Sequence, residues 1–399
     1  MSASLQNGDT ASQAQQMDND SKNRLLEVTW LFLKLGTISF GGPAAHIALM
    51  EQEAVHKRRW LSPEHFLDLL AAVNLVPGPN ATEMAIHIGF VRAGWLGLIA
   101  GGGAFILPAS LISLAIAALY VRLGTLPQVA SLFYGINPVV MAIILMSVYR
   151  LGRVAIHDRL SLLLGIASLA AALAGVNEAL VLLSAGAISL LLSTKWQLPW
   201  LAHGIVGGSL LPLAPRFAIG HIDDRLVRLG LFFLKVGSLL FGSGMVLFAF
   251  IQRDVVTRYG WLSQQQLLDA IAVGQFTPGP VSSAATFIGY LVAGVPGAMV
   301  STLGMFFPSF LIVSLSGPLI PQLRTSPVAQ AFLKGVNAAV VALILSVALA
   351  LLHSAIIDVW TALILLGGIV ALLRFQLDTV WLVLGGIIIG LLHYLFLGG

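Results

Sequence analysis

A pattern of glycine and proline breaks occurs twice in this chain, at matched places in two apolar halves. The run Phe32-Leu33-Lys34-Leu35-Gly36, followed by Phe40-Gly41-Gly42-Pro43, returns as Phe233-Leu234-Lys235-Val236-Gly237 and Phe241-Gly242-Ser243-Gly244. Further along each half the chain repeats Trp-Leu-Ser and then Pro-Gly-Pro. Matched interruptions of this kind in two hydrophobic halves are the strongest sequence pointer to a binding site between membrane repeats.

Composition supports a membrane setting. Of 399 residues, 58% are hydrophobic and 10% charged, with a mean hydropathy of +0.93. A soluble domain carries roughly 25% charged residues, so this chain cannot cover a water-facing surface. It is predicted to be an all-α polytopic membrane protein in the lipid bilayer. The net charge of +4 comes from short clusters between apolar runs, such as Lys57-Arg58-Arg59 and Arg150, Arg153 and Arg159. Membrane loops carry such clusters, and nucleic acid is not an expected partner. The absence of cysteine excludes disulfides and thiolate metal sites. There is no P-loop, His-Glu-x-x-His or Gly-x-Ser-x-Gly motif, so ATP-driven pumping, zinc proteolysis and serine hydrolysis lack support. No enzyme activity, cofactor or metal is expected.

The two halves keep register over roughly 150 residues. Trp60-Leu61-Ser62, Asp68 and Pro77-Gly78-Pro79 recur 201 residues later; after one deletion, Gly89, Pro108, Asn137 and Asp158 recur 200 later. Hydrophobic segments fall near 25–50, 64–91, 95–121, 127–149, 159–175 and 178–194, and again near 226–251, 265–290, 295–320, 326–352, 357–373 and 378–397. The expected organisation is a polar disordered tail (1–23), a first six-element repeat (24–195), a connector (196–224) and a second repeat (225–399). The tail lacks an apolar signal core, so insertion is expected to use the first hydrophobic element. Inverted repeats are expected, with the mostly apolar segment 198–214, broken by prolines and His203, crossing once between even-numbered halves. Thirteen crossings follow if the first two elements of each half span, and nine if both re-enter.

Each break places a proline where a new helical segment starts. Proline suits the first helical turn, since its missing N–H would have had no partner there. Helix starts at residues 41–43 and at Pro77-Gly78-Pro79-Asn80, with Thr82 in the next turn, would point amide N–H groups and a dipole's positive end into the membrane interior. Their repeats at Gly242, Ser243, Gly244 and at Pro278, Gly279, Pro280, Ser282 would bring the number of such ends to four. Helix N-termini are anion sites. Lys34 and Lys235 could add full charge, in which case Lys34→Ala abolishes transport. The plainer alternative is that the breaks are simple turns and both lysines snorkel to the interface.

Several other polar residues have two readings. Asn80-x-x-Glu83 has capping-box spacing; Glu83 could equally be a proton-carrying acid beside the anion site, with His87 one turn on to relay the proton. Asp68 and Asp269 are matched and suit ion pairs with loop arginines. Asn137 and Asn337 sit inside helices, where interhelical hydrogen bonding is their expected role and substrate contact the alternative. Lys334 stands opposite Tyr134 in the repeat and breaks the symmetry, as Glu83 does. Gly97-x-x-x-Gly101 suits close helix approach.

With these motifs in view, the chain resembles the two-domain, long-chain members of the chromate ion transporter family. The resemblance rests on Phe40-Gly41-Gly42-Pro43, Arg59-Trp60-Leu61-Ser62 and Asn74-Leu75-Val76-Pro77-Gly78-Pro79-Asn80-Ala81-Thr82-Glu83-Met84-Ala85. Gly89, Arg92-Ala93-Gly94-Trp95 and Phe105-Ile106-Leu107-Pro108 follow in order, and the likeness spans residues 25–397. It implies proton-driven export of chromate across the bacterial inner membrane by a multi-pass protein, conferring resistance, with sulfate as a competing dianion. A sulfate or other oxyanion carrier and an anion channel are the rival readings, and a homodimer is compatible with either. The second half departs from the pattern at Gly242-Ser243-Gly244 and carries no glutamate after Pro-Gly-Pro, which points to the first half as the seat of coupling.

Overall fold

The computed structural model describes residues 3–124, 126–193, 224–242, 244–316, 326–375 and 377–397, and these are helices and short connections. In the first half these are α1 (Ala3–Ile38), α2 (Pro43–Glu51, prolonged by a π-helical turn, Gln52–Lys57), α3 (Pro63–Val73), α4 (Asn80–Leu123), α5 (Pro127–Ala155), α6 (Arg159–Leu173) and α7 (Glu178–Ser193). The second half has α8 (Asp224–Leu239), α9 (Leu247–Phe250, between a 3-10 turn and a π-helical turn), α10 (Gln264–Phe276), α11 (Ala284–Ser316), α12 (Pro327–Ala355), α13 (Val359–Val370) and α14 (Thr379–Leu397). The connector and Ser243 lie outside the described residues. The polar segment up to residue 23 is continuous with α1. No proline interrupts it, and extending a helix already nucleated by its apolar part costs little.

The repeated motifs have local causes. Trp-Leu-Ser ends in the N-cap of a helix: Ser62 Oγ accepts from the His65 amide at 3.2 Å, and Ser263 Oγ from Gln266 at 3.0 Å. The matched Asp158 and Asp358 form capping boxes with Ser161 and Thr361.

α4 and α11 are helical hairpins. At Ala93 and Gly94, and again at Ala293 and Gly294, the chain leaves helical geometry, with φ +63° and +62° at the two glycines. With ψ near −150°, that positive-φ conformation is essentially restricted to glycine and costs other residues about 1–3 kcal/mol. The limbs 80–92 and 95–123 fold back on each other, so that Gly89 packs on Gly97 and Gly101, and Ala85 on Gly101. Close approach at Gly97 and Gly101 was legible in the sequence.

These hairpins settle the symmetry. The long limb of α4 runs alongside the start of α11: Ala109 meets Gly279, Ser113 Oγ donates to Ser283 Oγ at 3.4 Å, and Tyr120 packs on Phe287 at 5.4 Å. Numbers rise together, so these limbs are parallel. Because the start of α11 is itself antiparallel to its long limb, the equivalent long limbs of the two halves run in opposite directions. The repeats are inverted. The pairs α1–α2 and α3–α4 enter from one face, turn at their Gly/Pro breaks and return. Their counterparts in the second half enter from the other face.

Among the described residues, five helices are long and apolar enough to cross a membrane, and three more are shorter and apolar. Two of the five are the α4 and α11 hairpins, whose long limbs make the crossing.

The halves interlock rather than sit side by side. α5 packs against α13 and α14 of the second half, and α12 against α6 and α7 of the first. Tyr134 donates to Asp358 at 2.6 Å, and the matched Lys334 pairs with Asp158. Hydrogen bonds from Lys334 and Ser161 hold the Asp158 carboxyl below the usual range. The Tyr/Lys asymmetry therefore serves to join the halves.

Candidate functional site

The four breaks meet. Pro43, Pro79, Gly242, Gly244, Pro280 and Ser282 line one small cavity of about 20 Å³, together with His46, Asn80, Ala81 and Val281. That is room for about one water. It adjoins a vestibule of about 310 Å³ that shares Pro43, Gly242, Gly244 and Val281 and adds Gly41, Gly42, Met146, Ser147, Arg150 and Gln275. Since α5 (Pro127–Ala155) supplies Ile143 to Leu151 along one wall, the tips lie level with the second half of that helix.

Reciprocal hydrogen bonds lock the tips. The Gly78 amide donates to the Leu240 carbonyl at 2.7 Å, and the Gly279 amide donates to Ser39 at 2.8 Å. Each Pro-Gly-Pro thus caps the helix that breaks in the opposite half. These two amides are spent. Others are free of intrahelical bonds: in α2 the first bond is His46 N–H to Gly42, at 3.2 Å, and in α4 it is Glu83 N–H to Pro79, at 3.0 Å. The amides of Ala44 and Ala45, and of Asn80, Ala81 and Thr82, precede those bonds.

Orphaned polar atoms lie on the elements that form or pack against the tips. Ser39 Oγ, His46 Nδ1, Thr82 Oγ1, both Glu83 oxygens, His87 Nε2 and Ser309 Oγ are buried without a hydrogen-bond partner. Proteins leave few such groups, and their concentration here fits a site that receives a polar guest. Glu83 is fully buried, and α4 has no side-chain N-cap bond. Asn80 donates instead to Asn74 at 2.7 Å. The capping-box reading therefore fails. The Glu83 carboxylate turns back toward Gly78, where any Cβ would collide with it. No hydrogen bond joins it to His87, so a direct relay between the two is not formed.

Lys34 and Lys235 lie elsewhere. Lys34 pairs with Glu53 at 3.1 Å and Lys235 with Asp254 at 2.6 Å, each on the returning limb of its hairpin. Burial alone would raise the Glu53 carboxyl, but hydrogen bonds from Lys57 and Lys34 outweigh it and hold it below the usual range. An unpaired charge in the membrane is costly, so the lysines take acidic partners rather than the cavity. The signal was present: Glu53 and Asp254 are themselves 201 apart. Among the described vestibule residues, the full positive charge is Arg150, which sequence reading placed in a loop cluster. Asp378 is the nearby acid, 3.8 Å from the position of a Cβ on Gly41.

The remaining expected residues divide. Phe40 is exposed at the tip, and neither it, Pro77 nor Pro278 lines these cavities. Asn337 Oδ1 lies beside Gly242, whereas Asn137 donates to Asp269 at 3.1 Å. Asp68 is exposed and Asp269 buried, so the matched aspartates have different environments. His46 and Gln275 were missed because nothing in the spacing marks them.

A sequence profile described as chromate transporter matches residues 26–190 and 227–391, once per half. The chain belongs to the chromate transporter family. It is 36% identical to a chromate transport protein of Cupriavidus metallidurans, over 93% of each chain. Identity is 35% to a probable chromate transport protein of Synechococcus elongatus, over 88% of this chain and 89% of that one. A chromate transport protein of Pseudomonas aeruginosa is 32% identical, over 78% and 77%. No solved structure matches the chain.

Proposed function

We propose that this protein is a secondary transporter that exports chromate across the bacterial inner membrane in exchange for protons, conferring chromate resistance. The observation that carries the reading is the meeting of four helix breaks, two from each inverted half, on one cavity with unbonded amides, orphaned polar atoms and Arg150 at its mouth. A tetrahedral dianion suits convergent N–H donors and one guanidinium. Inside-negative potential favours its exit by about 2.3 kcal/mol per charge per 100 mV, and proton entry adds to that drive. Sulfate has the same shape and charge, and competes for the site.

Purified protein in liposomes tests this. Radiolabelled chromate should enter saturably when the interior is acidic, because protons leave as the anion enters, and sulfate should inhibit. Flux that does not saturate and carries current without a counter-ion would identify an anion channel. Saturable sulfate flux that excludes chromate would identify a different oxyanion carrier.

Glu83 is the proposed coupling acid of the first half. A carboxylate with no partner in a dry site costs several kcal/mol, so its proton is tied to the charge of whatever occupies the tips. Glu83→Gln keeps the shape and removes the titration. Gradient-driven chromate accumulation should fall about tenfold, with affinity changing less than threefold; an unaltered pH profile refutes the role.

A further inference from the structure

A second polar site lies on the other side of the protein from the vestibule. Asp269 in α10 is 2% exposed and accepts three neutral hydrogen bonds, from Tyr120 Oη at 2.7 Å, Asn137 Nδ2 at 3.1 Å and Gln265 Nε2 at 2.9 Å. Beside it Asn137, 4% exposed, leaves its Oδ1 without a donor. These groups line a cavity of about 520 Å³. Its other titratable walls are Tyr134 of α5 and His393 and Tyr394 of α14, and no lysine or arginine is among its described lining residues. Tyr134 is held by Asp358. The carboxylate and the orphan amide oxygen therefore face a site that lacks a positive partner.

The two cavities sit toward opposite ends of the same helices. α5 gives Asn137 to this one and Met146 and Arg150 to the vestibule; α14 gives His393 to this one and Thr379 to the vestibule. Between them Val139, Val140, Met141 and Ala142 are 0–3% exposed and close the way. On α10, Asp269 faces one cavity and Gln275 the other, with buried Ala270, Ile271, Ala272 and Val273 between.

We propose that Asp269 is a proton-carrying site of the second half, loaded from the face opposite to the oxyanion vestibule. The proton binds the carboxylate as one O–H bond with no other bond changed, and leaves on the same face or toward the tips when the halves move. The exposed Asp68 cannot do this for the first half, where Glu83 takes that part, so each half carries its proton on a buried acid at a non-equivalent position, apart from the lysine-paired Glu53 and Asp254. This assignment rests on the reading of the chain as an oxyanion carrier.

Asp269→Asn in liposomes tests it. Chromate–chromate exchange at equal pH should stay within about twofold of the parent protein, while accumulation driven by an acidic interior falls at least tenfold. Full gradient-driven accumulation overturns the proposal, as does a drive supplied by sodium at constant pH. Infrared difference spectra of the purified protein, taken across a pH step with and without the substitution, give an answer independent of transport. A carboxyl band lost in Asp269→Asn supports the site, and its absence from the parent protein refutes it. If no chromate flux occurs in either protein, the carrier reading fails and the spectra still decide Asp269. If the variant does not fold, Tyr120→Phe removes one donor and should shift the pH at which that band appears; an unmoved band overturns the proposal.

Discussion

Replacing Arg150 with alanine is expected to weaken chromate binding by about 10- to 150-fold while leaving the protein folded. Arg150 is exposed to the vestibule and contributes little to the packed core, so its removal should not unfold the chain. Its guanidinium shares the vestibule with Gly41, Pro43, Gly242 and Gly244, where the unbonded amides converge. A hydrogen bond to a charged group contributes about 1.5–3 kcal/mol, and each 1.4 kcal/mol is tenfold in affinity, which sets the range. Arg150→Lys should recover part of the loss, because lysine keeps the charge and forfeits the planar fork. Isothermal binding or the KM of liposome flux reads the effect. Parent-like affinity in Arg150→Ala would move the anion away from this vestibule.

Lys235→Ala is expected to destabilise the protein by about 2–4 kcal/mol, the discount from a fully buried pair reflecting a lysine that is partly exposed. Asp254 is 3% exposed, and Lys235 also lies over the rings of Phe232 and Phe250 at 5.7 and 5.6 Å. Alanine strands that buried carboxylate. Lys34→Ala should cost less than about 1 kcal/mol, because Glu53 keeps Lys57 at 3.0 Å and Arg58 at 3.5 Å. Replacing Asp254 by alanine as well should restore part of the loss, since the coupling between the two is then removed from both sides. Thermal unfolding in detergent measures all three. Loss of chromate binding in Lys34→Ala without loss of stability would return the lysines to the anion site.

This contrast shows where sequence reading reached its limit. A lysine inside an apolar run marks a constrained charge, but whether it meets a ligand or an acid depends on the limb that folds back against it. That limb begins beyond the break, and its direction is set by the turn at residues 41–43. The same holds for Glu83: its spacing from Asn80 fits a capping box, yet Asn80 reaches Asn74 and Glu83 is left unbonded. A local pattern cannot tell which of two neighbours a side chain will take.

Read along the chain, apolar period, break positions and the 200-residue offset were enough to determine an all-helical membrane protein of two equivalent halves with helix starts at matched breaks. These follow from short-range rules: proline at a first turn, serine or aspartate at an N-cap, and a run too apolar for water. The tertiary structure decided that both broken elements fold back as hairpins, that the halves are inverted and interlocked, and that Arg150, His46 and Asp269 face cavities. Those outcomes depend on contacts between residues more than 200 apart in the chain, such as Gly135 with Gly386, and burial at such contacts is a property of the assembled bundle, which no local stretch encodes.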